Sequence, residues 1–267
     1  MIGVFDSGIG GLSVLAAIAR VLPRADLVYF ADTAHVPYGD KNDDAIRVRT
    51  LRIGRHLAEQ GCRLIVVACN TATAAAVATL REDLPQIEVV GVEPGIKPAA
   101  AASKSGRIAV LATVSTARSE RLARLIRQHA DTVRVDILPC PGWATKVESL
   151  QLVDPEFAES ARALLEPVLT AGADQIVLGC THYTFLAPVL RSIAAGRAVL
   201  VDVAEAVARQ CRRLAAATLD DGDGTIARGR LILSASAYPE RLSQALSVLA
   251  LESLAARSSG PAILADV

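Results

Sequence analysis

The chain reads as an α/β protein of two similar units, pseudo-symmetric, each built on a mainly parallel sheet and facing the other across a central cleft. Three observations predict this. Short aliphatic runs, the pattern of strands buried on both faces, alternate with longer helix-like segments. Two of those runs, residues 64–68 and 175–179, each deliver a cysteine into a polar turn, Cys69-Asn-Thr-Ala-Thr73 and Cys180-Thr-His-Tyr-Thr184. The spacing also repeats: 63 positions separate Asp6, ending the first strand, from Cys69, and 67 separate Thr113, ending the strand that opens the second series, from Cys180.

Residues 2–5 form a short strand that runs through Asp6-Ser-Gly-Ile-Gly-Gly11 into a helix over 12–22. A strand over 27–31 follows, then a loop through Asp32 and Pro37-Tyr-Gly39. Residues 42–60 read as a helix, with Gly61 where a left-handed residue often closes one. The Cys69 strand, a helix over 72–84 and a strand over 89–92 complete the first series. Glu93-Pro-Gly-Ile-Lys-Pro98 breaks regular structure with prolines and a glycine and is expected as a linker. The second series opens with a strand over 108–111 and the turn Ala112-Thr-Val-Ser-Thr116. A helix over 119–128, a strand over 133–138 and a loop from Cys140-Pro-Gly-Trp143 on to Glu148 come next. After a helix over 155–169 come the Cys180 strand, another helix and a strand over 199–201. Residues 203–219 form a long amphipathic helix, 231–234 a strand and 239–254 a closing helix, and 256–267 are expected as a mobile tail.

A chain of 267 residues can bury a substantial core and commonly divides into two domains. It is 52% hydrophobic but 3% aromatic, so that core must be aliphatic. Lys and Arg number 28 and so do Asp and Glu, which leaves no global field to draw nucleic acid or an anionic membrane. The start, Met1-Ile-Gly-Val-Phe-Asp6, has no basic leader and no apolar run reaches membrane-spanning length, so a soluble, unprocessed, cytoplasmic chain is expected. Cysteines at 62, 69, 140, 180 and 211 make no CxxC pair and no zinc-ligand spacing, which points to reduced thiols and no metal site.

Two thiols on opposite walls of a cleft can act as a base on one face of a carbon acid and an acid on the other. That exchange inverts a stereocentre. A free thiol with pKa near ~8.5 is only slightly ionised at pH 7, so each needs a partner. Asp6, ending the first strand, and His182, two residues after Cys180, can each hydrogen-bond a thiol and take its proton. With reacting atoms about 3–3.5 Å apart, the sulfurs should stand roughly 7 Å from one another. Cys62, Cys140 and Cys211 read as small core residues, and His35, His56 and His129 as solvated or structural. Gly8-Ile-Gly10-Gly11 suggests a dinucleotide loop, but Ser13 occupies the third glycine position. The glycines are therefore read as a tight turn that brings amides to a helix N-terminus, where a carboxylate could bind.

Taken together, Phe5-Asp-Ser-Gly-Ile-Gly-Gly11, Asp32 with Val36-Pro-Tyr-Gly39, Ala68-Cys-Asn-Thr-Ala-Thr73, Val92-Glu-Pro94, Leu111-Ala-Thr113 with Thr116, and Gly179-Cys-Thr-His-Tyr183 resemble the cofactor-independent glutamate racemases. The resemblance implies that Cys69 and Cys180 are the two acid/base residues, assisted by Asp6 and His182. It implies that Asp6, Ser7, Tyr38, Gly39, Asn70, Thr71, Thr181 and His182 surround the amino acid, with no cofactor and no metal. Glu148 matches a family glutamate close to the cleft, although Trp143-Ala-Thr-Lys replaces a more apolar, proline-containing stretch. Thr184 stands where the family usually has proline. The resemblance also implies that the last segment returns to complete the first unit. Residues 1–94 plus 206–267 would then carry Asp6 and Cys69, and residues 95–205 would carry Cys180 and His182. The expected activity is interconversion of L- and D-glutamate, supplying D-glutamate for peptidoglycan. The expected partner is the small-molecule substrate, with neither nucleic acid nor membrane, and a homodimer is an option. A racemase for aspartate or another small acidic substrate stays open, as do a nucleotide-binding Rossmann-type protein and a catalytically silent amino-acid-binding protein.

Overall fold

A computed structural model of the chain describes residues 1–152, 154–218 and 229–267. Among them the aliphatic runs form ten strands: β1 (Ile2–Asp6), β2 (Leu27–Ala31), β3 (Leu64–Val67), β4 (Glu88–Gly91), β5 (Arg107–Ala112), β6 (Arg134–Pro139), β7 (Gln175–Leu178), β8 (Val199–Val201), β9 (Leu231–Ala235) and β10 (Ile263–Leu264). One sheet is ordered β10-β9-β2-β1-β3-β4 and the other β6-β5-β7-β8, with all these pairs parallel. The order β2-β1-β3-β4 is thus used again as β6-β5-β7-β8, and the expected two-unit α/β architecture is the one observed.

Parallel strands need crossovers, and helices supply them on both faces. The helices are α1 (Leu12–Val21), α2 (Asp43–Glu59), α3 (Asn70–Asp83), α4 (Ile96–Ala102), α5 (Val114–Arg118), α6 (Glu120–His129), α7 (Trp143–Glu148), α8 (Pro155–Thr170), α9 (Ala187–Ala194), α10 (Ala204–Thr218), α11 (Pro239–Val248) and α12 (Glu252–Ala255). The predicted end of the long helix at Leu219 lies outside the described residues. Small polar side chains start several helices by accepting an otherwise orphaned amide: Asn42 from Ala45, Thr113 from Thr116, Ser119 from Leu122 and Asp154 from Glu156. Gly61 closes α2 at φ +88°, as its position in the sequence suggested.

Alternation along each strand splits the core. Val4, Tyr29 and Val66 pack with Leu15 and Ile18 of α1, whereas Phe5, Phe30 and Val67 pack with Ile53 of α2 and Leu80 of α3. Both faces of the first sheet are therefore covered, and the carboxyl ends of its strands are left to face the second sheet.

The structure departs from the sequence reading in several places. The expected linker 93–98 is shorter, because Ile96 already begins α4 and Pro98 sits in its first turn, where a missing N–H costs nothing. The stretch after Cys140 is not loop all the way to Glu148; from Trp143 it is α7, with the Trp143 ring edge-on to Phe157 and Tyr183. The expected single closing helix is two. Ala250 turns left-handed at φ +54°, with its amide donating to Ser247 and the Leu251 amide to Leu246. That is a Schellman ending with alanine where glycine is usual, so no glycine marked it in the sequence. The expected mobile tail is docked: β10 pairs with β9, and buried Arg257 donates to the carbonyls of Ala19, Leu22, Ala25 and Gly229.

Candidate active site

The strand register says which residues are equivalent in the two units. Phe5 lies opposite Val67 across β1 and β3, and Leu111 opposite Leu178 across β5 and β7. Each cysteine then stands two residues beyond its strand, and the mate of Asp6 is Ala112. Thr113, used above as the counterpart of Asp6, is instead the counterpart of Ser7. The two cysteines are equivalent; the carboxylate belongs to one unit only.

Both thiols are nearly buried, at 5% exposure for Cys69 and 7% for Cys180. Cys69 caps α3, its sulfur 3.4 Å from the Ala72 amide. Burial, and after it the charge of Asp6, pushes its thiol up to about 12, and the Cys180 thiol adds to the push. From Cys69 the hydrogen-bonded route to Asp6 runs through Ser7: Cys69 Sγ to Ser7 Oγ at 3.8 Å, and Ser7 Oγ to Asp6 Oδ1 at 3.5 Å. Asp6 is fully buried, and that burial raises its carboxyl against the opposing pull of His182.

On the other side, Cys180 Sγ lies 3.6 Å from His182 Nδ1, and His182 Nε2 lies 2.6 Å from Glu148 Oε1. The same carboxylate oxygen accepts the Ile9 amide of the first unit at 2.8 Å. Burial by itself would lower the His182 imidazole, but the bonds to Cys180 and Glu148 outweigh it and hold the imidazole well above its ordinary value. Thr181 donates across the cleft to Asp6 Oδ2 at 3.0 Å. The expectation of two separate helper pairs gives way to one connected network, Cys69–Ser7–Asp6–Thr181 and Cys180–His182–Glu148, in which Asp6, His182 and Glu148 also interact by charge.

The other expected residues take different parts. Thr71 crosses to the second unit, 3.0 Å from the Thr113 hydroxyl and 3.2 Å from that of Thr116. The Tyr38 hydroxyl is consumed by Asp32 at 2.5 Å, and Gly39 lies so close to Thr113 that a Cβ there would fall 2.8 Å from the Thr113 Cβ. Asn70 is 4% exposed, yet its Nδ2 has no hydrogen-bond partner. An amide donor left unmatched in a buried place costs about 1–3 kcal/mol, which a carboxylate ligand would recover. A cavity of about 220 Å³ reaches this network at Ile9 and Glu148 and is lined further by Val36, Pro37, Tyr238 and Arg241.

The glycine turn works differently from the expectation. Its amides are taken by the protein's own carboxylates, Gly8 by Asp6 at 3.0 Å and Ile9 by Glu148. A Cβ on Gly8 would fall on the Glu148 carboxylate, and one on Gly10 on the His182 ring. These glycines are needed for close approach. Residues that sequence reading missed are Tyr29, whose hydroxyl holds the Gly8 carbonyl at 2.7 Å, and Arg49, which pairs with buried Asp32. Neither carries a local motif; a buried strand tyrosine and a helix arginine were the only signals. Cys62, Cys140 and Cys211 are buried, with burial pushing their thiols up to about 11, 12 and 12, and the Cys140 thiol donates to the Leu138 carbonyl at 3.2 Å.

Comparison with known proteins bears on this arrangement. The model of the Asp/Glu/Hydantoin racemase family matches residues 2–211. A glutamate racemase of Pseudomonas aeruginosa strain UCBPP-PA14 is 46% identical over 248 residues, 93% of each chain. One of Ectopseudomonas mendocina strain ymp is 50% identical over 213 residues, 80% of this chain and 81% of that protein. The crystal structure of Escherichia coli glutamate racemase in complex with L-glutamate and the activator UDP-MurNAc-Ala superposes with a TM-score of 0.84 at 30% identity, over 99% of this chain and 97% of that one. By the length of the family match and the closeness of these relatives, the chain belongs to the Asp/Glu/Hydantoin racemase family.

Proposed function

We propose that the chain interconverts L- and D-glutamate, with Cys69 and Cys180 as the two acid/base groups on opposite faces of the α-carbon. The observation that carries this reading is the equivalence of the two cysteines, each two residues past the matching strand of its unit and each helped by its own polar chain. For one enantiomer Cys69 takes the α-proton while Cys180, through His182 and Glu148, supplies the other face. For its mirror image the roles reverse. A thiol buried as deeply as Cys69 holds its proton firmly, so before it can abstract the α-proton its own proton must pass through the Ser7 hydroxyl to the Asp6 carboxylate, leaving the thiolate as base. The free Asn70 amide and the Thr71 hydroxyl are the donors available to the substrate's carboxylates, with the Tyr38-Gly39 backbone read as a further one, while the Thr181 hydroxyl is engaged by Asp6. Residues 1–94 with 206–267 and residues 95–205 are proposed as the two domains, since the strands of each sheet come from those segments. The setting proposed is the cytoplasm, where thiols stay reduced, with D-glutamate as a peptidoglycan precursor.

The test follows circular dichroism of L-glutamate, and separately L-aspartate, with enzyme dialysed free of small molecules. Decay of the L-glutamate signal to zero, with aspartate much slower, supports the reading. Faster loss of the aspartate signal overturns the substrate assignment.

A further inference from the structure

Asp32, at the end of β2, is fully buried. Its Oδ1 accepts Arg49 Nη2 at 2.8 Å and faces His35 Nδ1 at 3.1 Å. Its Oδ2 accepts Arg49 Nε at 3.0 Å and the Tyr38 hydroxyl at 2.5 Å. Burial would raise this carboxyl, but the bonds from Arg49 and Tyr38 prevail and hold it below the ordinary range. The third arm of the Arg49 fork, Nη1, donates to the Val267 carbonyl at 2.6 Å. That residue belongs to the segment expected to be mobile. It is fixed by β10 on β9 and by the Ala265 amide on the Ala235 carbonyl at 2.9 Å. Ala265 and Val267 also pack against the buried cluster that contains Phe30, Tyr38 and Ile46.

We propose that Arg49 is a positioning residue which, braced by the Val267 carbonyl, holds Asp32 and through it the Tyr38-Gly39 turn at the substrate. The inference rests on the reading of that turn as substrate-contacting. A guanidinium suits the task because its planar fork holds both carboxylate oxygens and still has a donor on the far side; the three donors of an ammonium radiate from one nitrogen and do not span acceptors held by three separate nitrogens here. The turn carries neither sulfur, so loosening it weakens substrate binding more than proton transfer.

Arg49→Lys and Arg49→Met are compared with a variant lacking residues 266 and 267. KM for both enantiomers is expected to rise about fivefold or more, least for Arg49→Lys, with kcat changed less than about twofold. Backbone hydrogen exchange at Tyr38 and Gly39 is expected to speed up in all three. Unchanged KM and exchange, accompanied only by a lower melting temperature, would reduce Arg49 to a structural ion pair and overturn the proposal. If the Arg49 variants do not fold, the shortened variant decides by the same two readouts. If the unaltered protein fails to racemise glutamate, the functional reading falls, while exchange at Tyr38 and Gly39 still tests the bracing.

Discussion

Replacing Glu148 by glutamine removes one charge where two donors meet. Glu148 Oε1 accepts both the Ile9 amide and His182 Nε2, and the glutamine carbonyl can still serve the amide. What is lost is the anion beside an imidazole that is 2% exposed in its side chain. A hydrogen bond to a charged group is worth about 1.5–3 kcal/mol. At about 1.4 kcal/mol per pKa unit, losing it lowers the His182 pKa by about one to two units. The sign follows from the direction of the native shift. An imidazole raised by its partners stays protonated up to that raised value, and activity that needs the imidazolium is lost as pH rises through it. In Glu148→Gln the loss begins one to two units lower. Racemisation rates in both directions, read by polarimetry or circular dichroism from pH 6 to 10, should match the native enzyme within about threefold at the acid end and fall progressively below it as pH rises, by up to about 10–100-fold once pH has passed the raised native value. The kcat/KM values for the two enantiomers must fall together, because their free energies are equal. A pH-independent deficit, or a deficit under threefold throughout, would refute the charge argument.

Further outcomes follow from the same geometry. Cys69→Ala and Cys180→Ala should each abolish racemisation, while Cys62→Ala, Cys140→Ala and Cys211→Ala keep it with packing losses of about 1 kcal/mol, measured by activity and denaturant unfolding. In the Cys180→Ala background, carboxamidomethylation of Cys69, followed by peptide mass spectrometry, should accelerate about tenfold per pH unit from 7 to 10 without a plateau, since its thiol is held up to about 12. A plateau near pH 8 would contradict that. Asp32→Asn should cost about 3–5 kcal/mol of stability by leaving Arg49 buried without its anion. Because the native carboxyl is held below its unfolded value, its ionic contribution is present above pH ~4 and is lost as pH falls through the folded value, so the stability gap between the two proteins should narrow steadily as pH falls below ~4.

The fold was largely legible because parallel strands buried on both faces must be written as aliphatic runs, and β1, β2, β3 and β7 are such runs with little else in them. The cysteines were legible for the same reason, each standing where an unmistakable strand stops. What could not be read is set by contacts distant in sequence. The Thr181–Asp6 bond spans 175 positions and the Arg49–Val267 bond 218, and nothing local announces either. The equivalence of Thr113 with Ser7 needs strand register, which spacing alone misjudged by one residue. Gly8 and Gly10 read as a tight turn freeing amides for a bound carboxylate, yet their lack of side chain makes room for Glu148 and His182. The break at Ala250 was hidden because alanine took glycine's usual place.

The central claim is that two different thiols serve the two faces of the α-carbon, and solvent isotope entry tests it most directly. In deuterium oxide, L-glutamate is converted for less than a tenth of the way to equilibrium, and both enantiomers are separated and analysed for α-deuterium. Two thiols predict D-glutamate carrying close to one solvent deuterium per molecule, with the remaining L-glutamate labelled far more slowly, because return requires the abstracting sulfur to exchange first. D-Glutamate that keeps the substrate's own α-hydrogen would mean a single base carrying one proton from face to face, and would contradict the account.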